Sequence, residues 1–132
     1  MKKLKSLGSK AATPSSPDVR TLEVFENPGV SSVMFKTEEF TSKCPVTGQP
    51  DFAEVVIEYN PRSFCLESKS LKLYLQSFRD EKAFIESLTT RIHSDIKEVL
   101  DPLFLSIKVT SVPRGGISLE AIKDSHRRYN EA

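Results

Sequence analysis

"AEVVIEY", residues 53–59, sets the architecture. Val55, Ile57 and Tyr59 fall on one side of an extended chain and Glu54, Val56 and Glu58 on the other, the two-residue period of a half-buried strand. Asn60-Pro61 stops it. Downstream the period changes. In "SKSLKLYLQSFRD", residues 68–80, Leu71, Tyr74, Leu75 and Phe78 recur at i, i+3, i+4 and i+7, with Lys69, Lys72 and Gln76 elsewhere around the turn. That spacing predicts an amphipathic helix with Ser68 or Ser70 as its N-cap. A second stripe, Ile85, Leu88, Ile92, Ile96 and Val99, runs through "KAFIESLTTRIHSDIKEVLDP", residues 82–102, and Asp101-Pro102 ends it.

Outward from this centre, "VSSVMFKT", residues 30–37, reads as a first strand. "LFLSIKVTSV", residues 103–112, alternates again through Leu105, Ile107 and Val109. Pro113-Arg114-Gly115-Gly116 makes a turn, "ISLEAI" a short last strand, and the polar "KDSHRRYNEA" is expected to fray. Strand, strand, helix, helix, strand, strand predicts an α+β fold, an antiparallel sheet with two helices on one face. Such a sheet has open edges, and pairing them with neighbouring subunits makes a homo-oligomer the expectation.

"SLGSKAATPSSP" has too few large apolar residues to pack, so residues 1–20 are expected to form a flexible arm and residues 21–132 a single domain. With 132 residues the chain buries roughly two-thirds of its unfolded surface, enough for one core. A net charge of +1 gives no reason to expect nucleic acid or a membrane surface as partner. No apolar run approaches the ~18 residues of a membrane span, and Met1-Lys2-Lys3-Leu4-Lys5 lacks the apolar stretch of a signal peptide. A reducing cytoplasm is the expected compartment, and Cys44 and Cys65 are expected to be free thiols.

The chemistry-bearing stretch is "TSKCPVTGQPDFA", residues 41–53. Pro45 forces Cys44 out of the helical region, and Gly48 and Pro50 permit a sharp reversal. On one continuous strand Cys44 and Asp51, an odd number of residues apart, would face opposite ways. The turn removes that constraint, so both can point into one cleft, a thiolate to attack an electrophilic carbon and a carboxylic acid to protonate the atom that receives the electrons. The same residues also suit a buried structural thiol beside a loop-capping aspartate. His93 and His126 lie far along the chain from Cys44. Glu67, Lys69 and Lys72 gather where the first helix begins, either as a solvated face with an acid at the helix dipole or as a polar pocket for an anionic cofactor. Glu86 is either an ordinary first-turn carboxylate or the acceptor for an N–H/NH2 edge such as guanine's.

"EFTSKCPVTGQPDFA", "LESKSLKLYLQSFR" and "PRGGIS" stand in the order and spacing of the 7-cyano-7-deazaguanine reductases of queuosine biosynthesis, and the chain resembles their short, single-module form over about residues 38–118. The resemblance implies the tunnelling fold, in which strands of neighbouring subunits close into a barrel with active sites between subunits. It implies reduction of a nitrile to a primary amine with two NADPH. Cys44 matches the nucleophile that forms a covalent thioimide, and Asp51 the acid that protonates nitrogen. Leu66, Glu67 and Ser68 match the segment that contacts 7-cyano-7-deazaguanine, and Glu86 the carboxylate that recognises its purine-like edge. Lys69, Lys72 and Arg114 match basic positions that meet NADPH phosphates. No metal, nucleic acid or membrane is implied. One departure is clear: where the family reads Phe-His-Glu, this chain reads Phe84-Ile85-Glu86, so the histidine that helps hold substrate is Ile85 here. Two other readings keep parts of the pattern. An archaeal branch adds ammonia to the same cysteine adduct, giving an amidine without NADPH, and a non-catalytic purine- or pterin-binding relative would need neither Cys44 nor Asp51.

Overall fold

A computed structural model describes residues 13–126 of the chain. In order the elements are β1 (Val24–Glu26), β2 (Val33–Lys43), β3 (Pro50–Asn60), β4 (Phe64–Leu66), α1 (Ser68–Gln76), α2 (Ile85–Leu100), β5 (Phe104–Ser111) and β6 (Glu120–His126), with 3-10 turns at Val19–Thr21 and Ser77–Asp80. Every strand pairing is antiparallel. β2-β3-β5-β6 form the main sheet and β1-β4 a two-stranded ribbon. The α+β architecture agrees with the alternation and helical stripes of the sequence.

The alternating residues build the core. Val55, Ile57 and Tyr59 of β3 and Leu105, Ile107 and Val109 of β5 are all buried, packed in one cluster with Leu71, Tyr74 and Phe78 and with Leu88, Ile92 and Ile96. Both helices therefore cover the same face of the sheet. Phe78 stacks edge-on to Tyr74, with ring centroids 5.2 Å apart, and meets Phe40 of β2 at 5.7 Å. Tyr74 donates its hydroxyl to Asp95 at 2.6 Å, so the buried phenol has a polar partner on the neighbouring helix.

Four boundaries differ from the sequence reading. The first strand was expected at 30–37, but β2 runs from Val33 to Lys43. Its pairing with β3 slips between Thr37 and Phe40, where Glu38 and Glu39 oppose the single residue Glu54. This β-bulge reverses the alternation, so Phe40 and Ser42 turn inward and no single two-residue period spans the strand. The ribbon strands β1 and β4, three residues each, are too short to show a period. The last strand begins at Glu120, after the expected "ISLEAI" has started, and continues through Lys123–His126 of the segment expected to fray. Its inward Ser125 meets the buried ring of His93 at 3.0 Å. Finally, the N-cap of α1 is neither Ser68 nor Ser70 but Glu67, whose carboxylate accepts from the amides of Lys69 at 2.8 Å and Ser70 at 2.7 Å.

Residues 1–12 of the expected arm and 127–132 of the expected tail lie outside the described residues. From Thr13 the chain lies along the helices, where the Pro17 carbonyl accepts from Arg91 at 3.1 Å and the Thr13 hydroxyl donates to Gln76 at 2.9 Å. Cys44 and Cys65 are both free thiols. Among the described residues no helix is long and apolar enough to cross a membrane.

Two outcomes follow from the core. Ile92 is fully buried, and Ile92→Ala should cost about 2–5 kcal/mol in chemical denaturation. Burial holds the His93 imidazole below its ordinary 6.5, and Lys123 and Lys97 push the same way against Leu105 and Asp124. The unfolded chain therefore binds more protons as pH falls, so stability should decline on acidification below about 6.5. Denaturation midpoints of His93→Gln measured across that range should decline less steeply; an unchanged slope would contradict the assignment.

Candidate active site

Three stretches of chain meet at one end of the main sheet. The first is the β2–β3 loop. The Cys44 amide donates to the Gln49 carbonyl at 2.8 Å and the Gly48 amide to the Cys44 carbonyl at 2.9 Å, closing a tight loop over residues 44–49. Gly48 sits at φ +74°, where a side chain would be strained, which is the reversal the sequence predicted. Pro50 opens β3, where a missing amide is tolerated, and Asp51 pairs with Ser42.

The second stretch leads into α2. The Lys43 amide donates to the Glu81 carbonyl at 2.9 Å, and the Lys43 carbonyl accepts from Ala83 at 3.2 Å. This short parallel contact lays residues 81–83 against the end of β2, so Phe84, Ile85 and Glu86 open α2 beside Cys44. The third is the hairpin between β5 and β6. Val112 continues alongside β3 by donating to the Phe52 carbonyl at 2.9 Å, and Arg114 and Ile117 exchange two backbone bonds of 3.0 Å. Gly115 and Gly116 between them both have positive φ, as a two-residue hairpin turn requires.

These stretches enclose a cleft of about 340 Å³ lined by Cys44, Asp51, Ile85, Glu86 and Arg114. The thiol and the carboxylate therefore share one cleft. The Cys44 thiol lies below its ordinary value, first because the Thr47 hydroxyl bonds to sulfur, then through the Thr47 and Val46 amides; burial and the Asp51 charge oppose the shift. Arg114 reaches back across the cleft. Its Nη1 lies 3.0 Å from Asp51 Oδ1, and its Nη2 donates to Gln49 Oε1 at 3.1 Å and to the Pro50 carbonyl at 3.2 Å. Ile85 is buried, while Glu86 is exposed.

The remaining site residues lie elsewhere on the chain. Leu66, Glu67 and Ser68 line a separate, apolar cleft of about 620 Å³ with Phe25, Val33 and Tyr59. Lys72 borders a third, smaller cleft together with Lys36. The amides that open α1 are occupied by Glu67, so the helix N-terminus itself is not available to a phosphate. Lys36 and Lys72 are the basic side chains that line the third cleft.

Thr47 is the residue the sequence reading missed. Its position, three residues beyond a cysteine inside a Gly-containing turn, was the available signal, because a short hydroxyl side chain in such a turn bonds back locally.

A lowered thiol and a carboxylate thus share one cleft, on an antiparallel sheet backed by two helices. Residues 50–130 match the family described as QueF-like protein. Among curated relatives, the NADPH-dependent 7-cyano-7-deazaguanine reductase of Nitratidesulfovibrio vulgaris (strain DP4) is 42% identical over 98% of this chain and 81% of its own length. The enzyme of the same name from Agrobacterium fabrum is 48% identical over 89% of this chain and 78% of its own, and that from Methylocella silvestris 50% identical over 86% and 76%. Among solved structures, that of the archaeosine synthase QueF-Like in the apo form superposes with a TM-score of 0.71 at 27% identity, covering 76% of this chain and 98% of that one. The chain belongs to the QueF-like protein family.

The Thr47 contact has a direct readout. Thr47→Val should slow alkylation of Cys44 by iodoacetamide several-fold at neutral pH, whereas Thr47→Ser should retain the wild-type rate. Equal rates for the valine variant and wild type would remove Thr47 from the site.

Proposed function

We propose that the chain is an NADPH-dependent oxidoreductase that reduces the nitrile of 7-cyano-7-deazaguanine to the aminomethyl group in queuosine biosynthesis. The observation that carries this reading is the meeting of Cys44 and Asp51 in one cleft, with the thiol lowered by its own loop. The relatives of that name, 42–50% identical, supply the substrate and the cofactor.

A nitrile carbon is a poor electrophile until it is bent out of linearity. The Cys44 sulfur adds to it, forming a carbon–sulfur bond while one π pair moves to nitrogen, and the Asp51 carboxylate takes up the thiol proton and passes it to that nitrogen. The product is a thioimide. NADPH supplies hydride to the carbon when bound. The Cys44 sulfur then departs with its electron pair, leaving an imine for the second reduction. The Glu86 carboxylate accepts the N–H edge of the purine-like ring, and Ile85 presents a hydrocarbon wall where a histidine stands in the family pattern.

Leu66, Glu67 and Ser68 contact substrate from a second subunit in this reading. Their separation from Cys44 within one chain, and the open edges β2 and β6, support an oligomeric barrel of the tunnelling fold with sites between subunits. Residues 21–132 form its single catalytic domain. Lys69 and Lys72 meet cofactor phosphates through their side chains; Arg114, the third basic position, is ion-paired with Asp51.

The likeness to an archaeosine synthase favours a second reading, ammonia addition to the same adduct without NADPH. Its 27% identity against 42–50% for the named reductases places it behind the first.

Incubation with 7-cyano-7-deazaguanine should consume two NADPH per amine formed, and Cys44→Ala should abolish both turnover and the covalent adduct seen by intact mass. Ammonia-dependent amidine formation with no NADPH loss would select the second reading. Glu86→Gln should cost about 2–4 kcal/mol in kcat/KM, since it leaves a substrate N–H facing a donor.

A further inference from the structure

Arg114 is the most heavily engaged side chain of the cleft. It projects from the glycine turn of the β5–β6 hairpin yet directs its three recorded side-chain contacts at residues 49–51, more than sixty positions earlier in sequence. One goes to the Asp51 carboxylate and two fix the end of the loop that carries Cys44. Asp51 is largely covered, its side chain 18% exposed, while Arg114 is 49% exposed. The pair is thus anchored on the carboxylate side and open on the arginine side. Glu86 on α2 is the other acidic group lining the cleft.

We propose that Arg114 is a positioning residue for the Cys44–Asp51 pair: its guanidinium orients the Asp51 carboxylate, staples the end of the 44–49 loop and balances the charge that Asp51 presents to the thiolate. The inference rests on reading Cys44 and Asp51 as the reacting pair. Geometry supports it in three ways. Bonds to both Gln49 and Pro50 define the loop's exit into β3. The ion pair, Nη1 to Oδ1 at 3.0 Å, constrains how the Asp51 carboxylate is turned. Asp51 opposes ionisation of Cys44, and Arg114 holds the opposite charge 3.0 Å from the Asp51 carboxylate, which gives it a route to the sulfur through Asp51.

The test uses the cofactor-free protein and a small alkylating agent, so it reads the ion pair without any nitrile or NADPH and fails separately from the proposed reaction. Arg114→Gln should slow alkylation of Cys44 by iodoacetamide about two- to fivefold below the thiol's titration midpoint, the scale of a partly exposed ion pair. Arg114→Lys should fall between, with its charge kept and its fork of donors lost. In an Asp51→Asn background Arg114→Gln should slow alkylation less, because only the Gln49 and Pro50 contacts remain to be lost. Thermal denaturation run in parallel identifies a variant that has merely unfolded, and Arg114→Lys then carries the comparison. An unchanged rate in Arg114→Gln would overturn the proposal, as would equal slowing with and without Asp51. A raised KM for NADPH with alkylation unaltered would overturn it too, by giving Arg114 to the cofactor alone.

Discussion

The site depends on two backbone hydrogen bonds, those by which Lys43 grips Glu81 and Ala83. Main-chain bonds are indifferent to side-chain identity, so this contact sets a distance between the end of β2 and the start of α2. Cys44 is the next residue on one side, and Phe84, Ile85 and Glu86 follow at once on the other. A helix approaching by side-chain packing alone could slide or rotate on the sheet. One tied through its entry segment delivers its first turn to a fixed place. Lys43 and Asp80 add an ion pair of 3.1 Å beside the contact, which is exposed and worth at most about 1 kcal/mol.

The sequence revealed those parts of the fold that repeat. Val55–Ile57–Tyr59, Leu105–Ile107–Val109 and the two helical stripes each present one face to the core over several residues, and periodicity reports that directly. It reported β2 only as far as Thr37, because beyond it Glu38 and Glu39 oppose one residue and cancel the alternation, and it missed the ribbon strands, which are shorter than a period can be read. Within the site, the meeting of Cys44 and Asp51 was legible because Pro45, Gly48 and Pro50 dictate a turn locally. Thr47 and the Arg114 contact were not. The first is a hydroxyl whose bond depends on the loop's closure, and the second joins residues far apart in sequence, which only the register of β3 with β5 brings together.

The start of α1 is tied down by a local network of hydrogen bonds. Glu67 does what an acid at a helix N-terminus does, taking the first free amides. Its own amide donates to the Glu23 carbonyl, while Ser70 Oγ accepts from the Glu23 amide and donates to the Glu67 carbonyl. The Leu66–Glu67–Ser68 segment is therefore held rigidly at the rim of an apolar cleft whose floor includes Tyr59, and Tyr59 in turn accepts from the Leu66 amide at 2.9 Å.

The bulge in β2 also turns strand length into a matter of parity. Because two residues stand opposite Glu54, Val33 and Phe35 reach the core from odd positions and Phe40 and Ser42 from even ones. Deleting either glutamate would restore an unbroken alternation and make the strand look more ideal on paper. Thr37 opposite Val55 and Phe40 opposite Ala53 would keep their partners, so both ends of the strand would still face the core and only the local twist of the bulge would be lost. The extra glutamate therefore shapes the path of β2 without deciding which side chains face inward, and Glu39 reaches from it to the rim of the cleft that Lys72 borders.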